Sequence, residues 1–199
     1  MVMVTNYNVT YAERLIPAAD ISAQISLASR EASGTGNMKL MLNGALTLGT
    51  NDGANVELCE SAGEENIYLF GISADDVIGH YERGDYDPSL IYNSSEVVRE
   101  AVDFIVSPLM LAKGRRENLE RLYKEIRTRD RYMALLDLKS YFETKDRMLR
   151  DYEDREAWNK KALLNISGAS YFSSDRTISE YNRDIWKLKS FKTYSEEGK

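Results

Sequence analysis

Short apolar runs that alternate with helical patterns constrain the fold of this chain more than any other feature of its sequence. The strand-like runs are residues 1–4, 21–25, 46–50 and 67–71. Helical patterns occupy residues 37–45, between the second and third runs, and residues 75–82, after the fourth. Because strands that alternate with helices are typical of crossover connections, the pattern predicts an α/β fold with a parallel sheet.

The second half of the chain predicts long, charged helices. Apolar side chains recur on one helix face at Leu119, Leu122, Tyr123 and Ile126. A second helix follows over residues 138–152. A third, over residues 158–166, has Leu163 on its apolar face and Asp154 as its expected N-cap. Ser173 is a further cap candidate. We therefore expect a partial α/β domain at residues 1–92 and C-terminal helices at residues 93–199 that pack on it.

Composition and charge exclude several classes of protein. The 199 residues include 26 basic and 32 acidic side chains, a formal net charge of −6, so binding to nucleic acid is not expected. No apolar run approaches the roughly 20 residues that span a bilayer, so we expect no membrane partner. The single cysteine, Cys59, cannot form an internal disulfide, and no signal-type segment opens the chain. These features predict a cytoplasmic location.

Histidine is scarce enough to limit the chemistry. His80 is the only histidine, and no cluster of His, Cys or carboxylate ligands accompanies it, so we expect no metal site. A serine or cysteine triad would need His80 and a nucleophile motif that the sequence lacks. Any reaction of this chain must therefore take its reactivity from another group.

Residues 30–44, REASGTGNMKLMLNG, form the segment most suggestive of chemistry. Its helical spacing is carried by Met38, Met41, Leu42 and Ala45. The helix is expected to begin at about Gly36 or Asn37. Small residues before it allow backbone N–H groups to approach an anion at the positive helix end, and Thr35 adds a hydroxyl. Lys39 lies in the first turn, off the apolar face, where its amine can reach the same anion.

The spacing of this segment leaves its ligand open. It matches neither a Walker phosphate loop nor the dinucleotide pattern G-x-G-x-x-G, because Lys39 stands where the third glycine belongs. Pyridoxal phosphate, which is both an aldehyde and a phosphate ester, suits a lysine beside a phosphate cradle. A glycine-rich turn followed by a solvated lysine has the same pattern.

A longer stretch around this segment resembles a known family. EASGTGNMKLMLNGALTLGT followed by DGANVE is similar to the pyridoxal-phosphate segment of α-glucan phosphorylases, the glycogen, starch and maltodextrin phosphorylases. The flanks NYNVTYAERLIPAADISAQIS, GEENIYLFG and FSSDRTISEYNRDIW share the resemblance, which runs from about residue 2 to residue 188.

The resemblance implies both a fold and a reaction. The fold would be part of the Rossmann-like C-terminal domain of a GT-B-type glycosyltransferase. The reaction would be phosphorolysis of terminal α-1,4-linked glucose by inorganic phosphate, which yields glucose 1-phosphate. In this family the cofactor's phosphate exchanges a proton with inorganic phosphate, while its aldehyde end serves as the anchor. The implied partners are an α-1,4-glucan and inorganic phosphate.

The resemblance also assigns cofactor-binding residues. Lys39 matches the lysine that forms a Schiff base with pyridoxal phosphate, the catalytic assignment in this chain. Thr35, Gly36 and the turn at Gly34 match the cradle around the cofactor phosphate. Asn51 departs from the family, which commonly has an apolar residue before Asp-Gly-Ala-Asn, but a turn tolerates asparagine.

Other matches concern the substrate and the cofactor pocket. Glu31, Ser33 and Gly34 match positions that hold hydroxyls of the glucosyl unit. Tyr7 and Gln24 match positions that line the cofactor pocket. Simpler alternatives exist for three of them: an exposed loop carboxylate for Glu31, a helix N-cap for Ser33 and core packing for Tyr7.

The length of the chain limits what it is expected to do alone. Members of the family are several times longer, and their N-terminal domain closes the substrate cleft. We therefore expect a C-terminal fragment that keeps the cofactor lysine but is inactive by itself, and that self-associates or forms a homodimer through uncovered apolar surface. A second possibility is that another chain supplies the missing part. A different class of function, a non-catalytic phosphate- or sugar-binding α/β module, also stays open.

Overall fold

A small parallel sheet forms the core of the computed structural model, which describes residues 3–27, 30 and 34–189. In these residues the sheet has three strands in the order β1 (Ile21–Gln24), β2 (Leu46–Thr50) and β3 (Tyr68–Phe70). Both pairings are parallel, with Ile21 opposite Leu46 and Leu48 opposite Tyr68. Every residue of β2 is buried, as expected for a parallel strand covered on both faces. The α/β prediction and three of the four predicted strands are confirmed.

Helices connect the strands and extend the fold beyond them. In the described residues they are α1 (Val9–Leu15), α2 (Thr35–Leu42), α3 (Ala54–Ala62), α4 (Ala74–Arg83), α5 (Pro88–Ser94), α6 (Glu96–Phe104), α7 (Pro108–Leu111), α8 (Arg116–Thr128), α9 (Ala134–Glu153), α10 (Arg155–Gly168) and α11 (Ser174–Tyr181). Short 3₁₀ turns lie at Ile16–Ala18, Glu64–Asn66 and Ala169–Phe172, and a π-helical turn at Asn182–Trp186. None of the described helices is long and apolar enough to cross a membrane.

Two predicted caps are confirmed. The Asp154 carboxylate accepts a hydrogen bond from the backbone N–H of Ala157 at the start of α10, and Ser173 accepts one from Arg176 at the start of α11. Both satisfy N–H groups that a helix leaves unpaired in its first turn. Local sequence was therefore sufficient to place the beginnings of these two helices.

The main core joins the sheet to the last long helices. Its buried members are Leu46, Leu48, Tyr68, Phe70, Met148 and Trp158. Met148 belongs to α9 and Trp158 to α10, so both helices are held against the strands. A second cluster joins α2 to α3 through Met41 and Leu58. A third, around Tyr92, joins α5, α6 and the start of α9.

The predicted strand at residues 1–4 is wrong for the part that the structure describes. Met3 and Val4 lie in no strand, and Met3 is 91% exposed. Met1 and Val2 lie outside the described residues. A short apolar run becomes a strand only where a neighbouring strand pairs with its backbone and its side chains are buried. In the part of the chain that the structure describes, β1 pairs with β2 and with no other strand.

Helical periodicity also overstated burial at two positions. Leu42 is on the predicted apolar face of α2 and Leu163 on that of α10, yet both side chains are exposed. The prediction that Lys39 lies in the first turn of its helix is wrong, because α2 begins earlier, at Thr35, and Lys39 lies in its last turn. The helix predicted over residues 37–45 ends at Leu42. It stops there because Gly44 adopts a φ of +85°, a left-handed conformation that suits glycine.

A polar cluster ties β3 to both long helices and predicts a pH dependence of stability. The Tyr68 hydroxyl donates to the Asp151 carboxylate at 2.7 Å, and the Lys161 amine lies 3.1 Å from the same oxygen. Burial alone would raise the pKa of Asp151, but the hydrogen bonds from Tyr68 and Lys161 outweigh it and lower that pKa. The resulting stabilisation is therefore complete above the unfolded pKa of about 3.9 and is lost as the pH falls through the lower folded pKa.

We expect Asp151→Asn to lower the free energy of unfolding by about 0.5–1.5 kcal/mol at pH 7, since the carboxylate is partly exposed. Urea titrations at pH 7 and pH 3 check this. The difference in the free energy of unfolding between variant and wild type should be smaller at pH 3 than at pH 7. An equal gap at both pH values would show that the charge of Asp151 contributes nothing.

Candidate functional site

A cavity of about 590 Å³ opens at the carboxyl ends of the three strands. Gln24, Thr50 and Phe70, which line it, are the last residues of β1, β2 and β3. The N-terminal part of α9 closes another side through Asp137 and Tyr141. In open α/β sheets, ligands bind at this end of the strands because the connecting loops and helix N-termini converge there.

Polar side chains hold the loops on the sheet side of the cavity. The backbone N–H of Ser26 donates to the Thr50 hydroxyl at 3.0 Å, and the Ser26 hydroxyl donates to Asp52 at 2.9 Å. These bonds tie the chain that leaves β1 to the end of β2. The strand ends beneath the cavity are therefore fixed relative to each other.

The helix α9 is fastened on the opposite side. Asp137 accepts a hydrogen bond from the N–H of Ile72 at 3.0 Å, and Ser140 accepts one from the N–H of Gly71 at 3.1 Å. Burial raises the pKa of Asp137, the bond from Ile72 opposes the rise, and the charge of Asp130 adds to it. The chain that leaves β3 thus bonds directly to a helix that lines the cavity.

A capped turn precedes α9. The Asp130 carboxylate accepts from the N–H groups of Ala134 and Leu135 and from the Tyr86 hydroxyl. Burial and the bond to Asp130 raise the pKa of Tyr86 well above its ordinary range. The turn contains a left-handed residue, Met133, with a φ of 49°. This structure sets the start of α9 beside the cavity.

The helix α2 presents the predicted cofactor residues. Gly34 is its N-cap position and makes no side-chain cap bond, while Thr35 and Gly36 are its first two residues. Lys39 is exposed. It lies three residues after Gly36 and four after Thr35, and side chains at these spacings share one helix face. Among the residues that the structure describes, a β-carbon at Gly36 would meet nothing within 4 Å, so these residues leave open space on that face.

This arrangement fits a phosphate-bearing aldehyde. The first turn of a helix directs backbone N–H groups and a positive dipole end toward a phosphate. Thr35 lies in that turn, and the exposed amine of Lys39 lies one turn further along the same face. Open space beside Gly36 allows a ligand to approach the backbone there. The residues can therefore bind an anion and present an amine to it.

The remaining predicted residues are distributed differently. Gln24 lines the cavity at the end of β1, whereas Lys39 does not line it. Tyr7 precedes α1 and is 62% exposed, so the core-packing alternative for Tyr7 is wrong. Glu31 and Ser33 lie outside the described residues. The structure thus brings Gly34, Thr35, Gly36 and Lys39 together on α2 and places Gln24 and Tyr7 on other segments.

Sequence reasoning missed two buried asparagines next to this site. Asn37, on α2, donates to Asn55, on α3, at 2.8 Å, and both line the cavity. Their signal was present: both lie in segments quoted for the family resemblance, and Asn37 precedes the buried Met41 by four residues. A polar residue on a buried helix face needs a partner, which the sequence did not identify.

The single histidine does not add to the site. His80 is bonded to Asp85 at the end of α4 and is not among the residues that line the cavity. In the described ranges no group of three or more His, Cys, Asp or Glu side chains could hold a metal ion.

Comparison with known proteins identifies relatives over nearly the whole chain. The family model described as carbohydrate phosphorylase matches residues 1–188. The chain is 60% identical to maltodextrin phosphorylase of Streptococcus pneumoniae over 188 residues. This alignment covers 94% of the chain and 25% of the relative. The chain is 43% identical to glycogen phosphorylase of Bacillus subtilis, covering 95% of the chain and 24% of the relative. The brain form of mouse glycogen phosphorylase is 44% identical, covering 94% and 22%.

The chain therefore spans about a quarter of the length of the curated relatives that it matches. The match of the family model over 188 residues agrees with the resemblance carried by the glycine-rich segment and its flanks. This chain belongs to the carbohydrate phosphorylase family.

Proposed function

We propose that this chain contributes the cofactor-anchoring part of an α-glucan phosphorylase, with Lys39 bound covalently to the aldehyde carbon of pyridoxal phosphate. The observation that supports this most is that Lys39 and Gly36 share one face of α2. Lys39 is exposed, and there is open space beside Gly36, about one turn before it. When bound, pyridoxal phosphate supplies a phosphate that can exchange a proton with inorganic phosphate.

The chain's own residues bind and orient the cofactor and the glucosyl unit. Thr35, Gly36 and the turn at Gly34 hold the cofactor phosphate through backbone N–H groups and one hydroxyl. Glu31, Ser33 and Gly34 hold hydroxyls of the glucosyl unit, and Tyr7 and Gln24 line the cofactor pocket. Lys39 fixes the aldehyde end, so the cofactor phosphate keeps one position.

The proposed reaction of the whole enzyme is phosphorolysis of an α-1,4-glucan to glucose 1-phosphate in the cytoplasm. The finer fold assignment, a Rossmann-like part of the C-terminal domain of a GT-B glycosyltransferase at residues 1–92 with the helices of 93–199 packed on it, is part of the same proposal. Because the chain spans a quarter of its relatives, we expect the isolated chain to release no glucose 1-phosphate from maltodextrin.

We further propose that the isolated chain self-associates. In the described residues α1 has no buried side chain, and Val9, Tyr11 and Leu15 are exposed on it. Ile178, Tyr181 and Ile185 are likewise exposed on or just after α11. Apolar surface of this kind favours contacts between copies.

Borohydride trapping tests the proposed function. Purified chain is titrated with pyridoxal phosphate, reduced with borohydride and digested, and the modified lysines are mapped by peptide mass spectrometry. We expect a saturable adduct confined to Lys39 that inorganic phosphate diminishes by competing for the first turn of α2. Adducts spread over many surface lysines would exclude the cofactor proposal. Phosphate or sugar binding without a Lys39 adduct would favour the non-catalytic binding module.

A further inference from the structure

Asn55 links three elements of the candidate site through one buried side chain. It is 1% exposed, in the first turn of α3. Its Nδ2 donates to the backbone carbonyl of Gln24 at 3.0 Å and to that of Thr50 at 2.9 Å. Its Oδ1 accepts from Nδ2 of Asn37 at 2.8 Å. Both amide hydrogens of Asn55 are therefore used on the strand ends, and its oxygen is used on α2.

The bonds to the strands give Asn55 a fixed position. Gln24 and Thr50 end the adjacent strands β1 and β2, so a single amide group joins both ends. The chain leaves room for that amide at Gly49, where a β-carbon would lie 2.5 Å from Nδ2 of Asn55 and 2.8 Å from the carbonyl oxygen of Gln24. Such approaches are too close for any side chain. Asn55 is thus part of the rigid end of the sheet.

The bond to Asn37 then orients α2. This helix has eight residues, and Asn37 and Met41 are its buried ones. A helix this short has little intrinsic stability, so its orientation depends on its few buried contacts. Asn37 and Lys39 are two residues apart, about 200° around the helix axis. Holding Asn37 against Asn55 therefore turns Lys39 outward, onto the face that contains the open space at Gly36.

We propose that Asn55 is a positioning residue of the cofactor site. Through Asn37 it sets the rotation of α2 about its axis, so that the first turn of α2 and the Lys39 amine can contact the same ligand. The proposal rests on the proposed function of Lys39 as the cofactor anchor. Asn55 acts through α2 and the strand ends and takes no chemical part.

The test compares wild type with Asn37→Leu, which removes the bond to Asn55 and leaves the strand bonds of Asn55 in place. Asn55→Leu is the second variant, and the exposed Asn159→Leu on α10 is the matched control. Each chain is titrated with pyridoxal phosphate, trapped with borohydride and mapped. Circular dichroism is recorded in parallel.

We expect the pyridoxal phosphate concentration that half-saturates Lys39 to rise about tenfold in Asn37→Leu, the effect of one lost buried hydrogen bond. The final extent of labelling should match wild type. The control should titrate as wild type does. A variant that simply failed to fold would instead lose labelling extent in proportion to its lost circular dichroism, with an unchanged half-saturation.

The double variant tests whether the two asparagines act through the same hydrogen bond or have separate effects on labelling. Asn37→Leu combined with Asn55→Leu should raise the half-saturation no further than the worse single variant, because both remove the same link. If wild type labels Lys39 selectively and Asn37→Leu has the same half-saturation, the positioning role is overturned while the proposed function stands. If wild type itself shows no selective label on Lys39, both proposals are overturned.

Discussion

Lys39→Ala is expected to abolish the borohydride-stable pyridoxal phosphate adduct of this chain. The expectation follows from the geometry of α2, in which Lys39 lies on the same face as Gly36 and Thr35 and is exposed. A lysine amine near a phosphate-binding first turn experiences a high local concentration of the aldehyde, and effective concentrations of this kind are in the millimolar range. Other surface lysines lack that advantage at micromolar cofactor.

Two variants make the Lys39 result specific. Lys160→Ala, an exposed lysine on α10, should leave labelling of Lys39 at the wild-type level. Lys39→Arg keeps a positive charge but has no amine that forms a covalent bond with the aldehyde, so it should retain phosphate binding without a trapped adduct. If Lys39→Ala were trapped to the same extent as wild type at micromolar cofactor, Lys39 would not be the anchor.

Trp158→Ala is expected to cause the largest loss of stability, about 3–5 kcal/mol in the free energy of unfolding. Trp158 is 2% exposed and belongs to the core that joins β2, β3 and α9. Its ring packs edge-on against Tyr152 at 4.9 Å between centroids and stacks near Tyr68 at 6.1 Å. Its removal leaves a cavity between the sheet and α10, because neighbouring helices cannot collapse fully into the space.

Urea unfolding followed by far-ultraviolet circular dichroism measures this loss, since one of the chain's two tryptophans is removed and fluorescence would change for that reason alone. Leu163→Ala is the matched control: it lies on the same helix and is 66% exposed, so a change within about 0.5 kcal/mol is expected. Comparable losses for Trp158 and Leu163 would mean that α10 does not pack on the sheet as described.

Most secondary structure could be predicted because its signals are local. The runs at residues 21–25, 46–50 and 67–71 are bounded by turn residues and became β1, β2 and β3. Asp154 and Ser173 supply side-chain acceptors to N–H groups only three residues away. Such interactions depend on chain geometry and are readable before any tertiary contact is known.

Burial could not be predicted with the same success. Leu163 matched the apolar spacing of its helix but is exposed, and Met3 belongs to a run that resembled a strand. Periodicity states which residues share a face, whereas burial depends on what covers that face. For residues 3 and 4, the described structure provides no pairing strand.

The candidate site likewise has a part that local sequence predicts and a part that depends on tertiary contacts. The motif around Lys39 was found in the sequence because a glycine-rich turn, a helix start and a lysine four residues after that start follow one another along the chain. The link from Asn37 to Asn55 spans 18 residues, and the bond from Asn55 to Gln24 spans 31. No local pattern specifies such partners, since many other polar groups lie at similar separations.

The sequence by itself determined the family and the alternation of strands and helices, and it supplied the candidate residues for anchoring a cofactor. Each of these depends on residue types at short, fixed spacings. The tertiary structure alone decided which polar residues meet at the carboxyl ends of β1 and β2 and that Asp137 fastens the chain after β3 to α9. It also decided that the Asn37 face of α2 is buried and that Lys39 is exposed. These outcomes depend on how the sheet and helices pack, because an unpaired buried polar group is costly and is therefore brought to a partner from a distant segment.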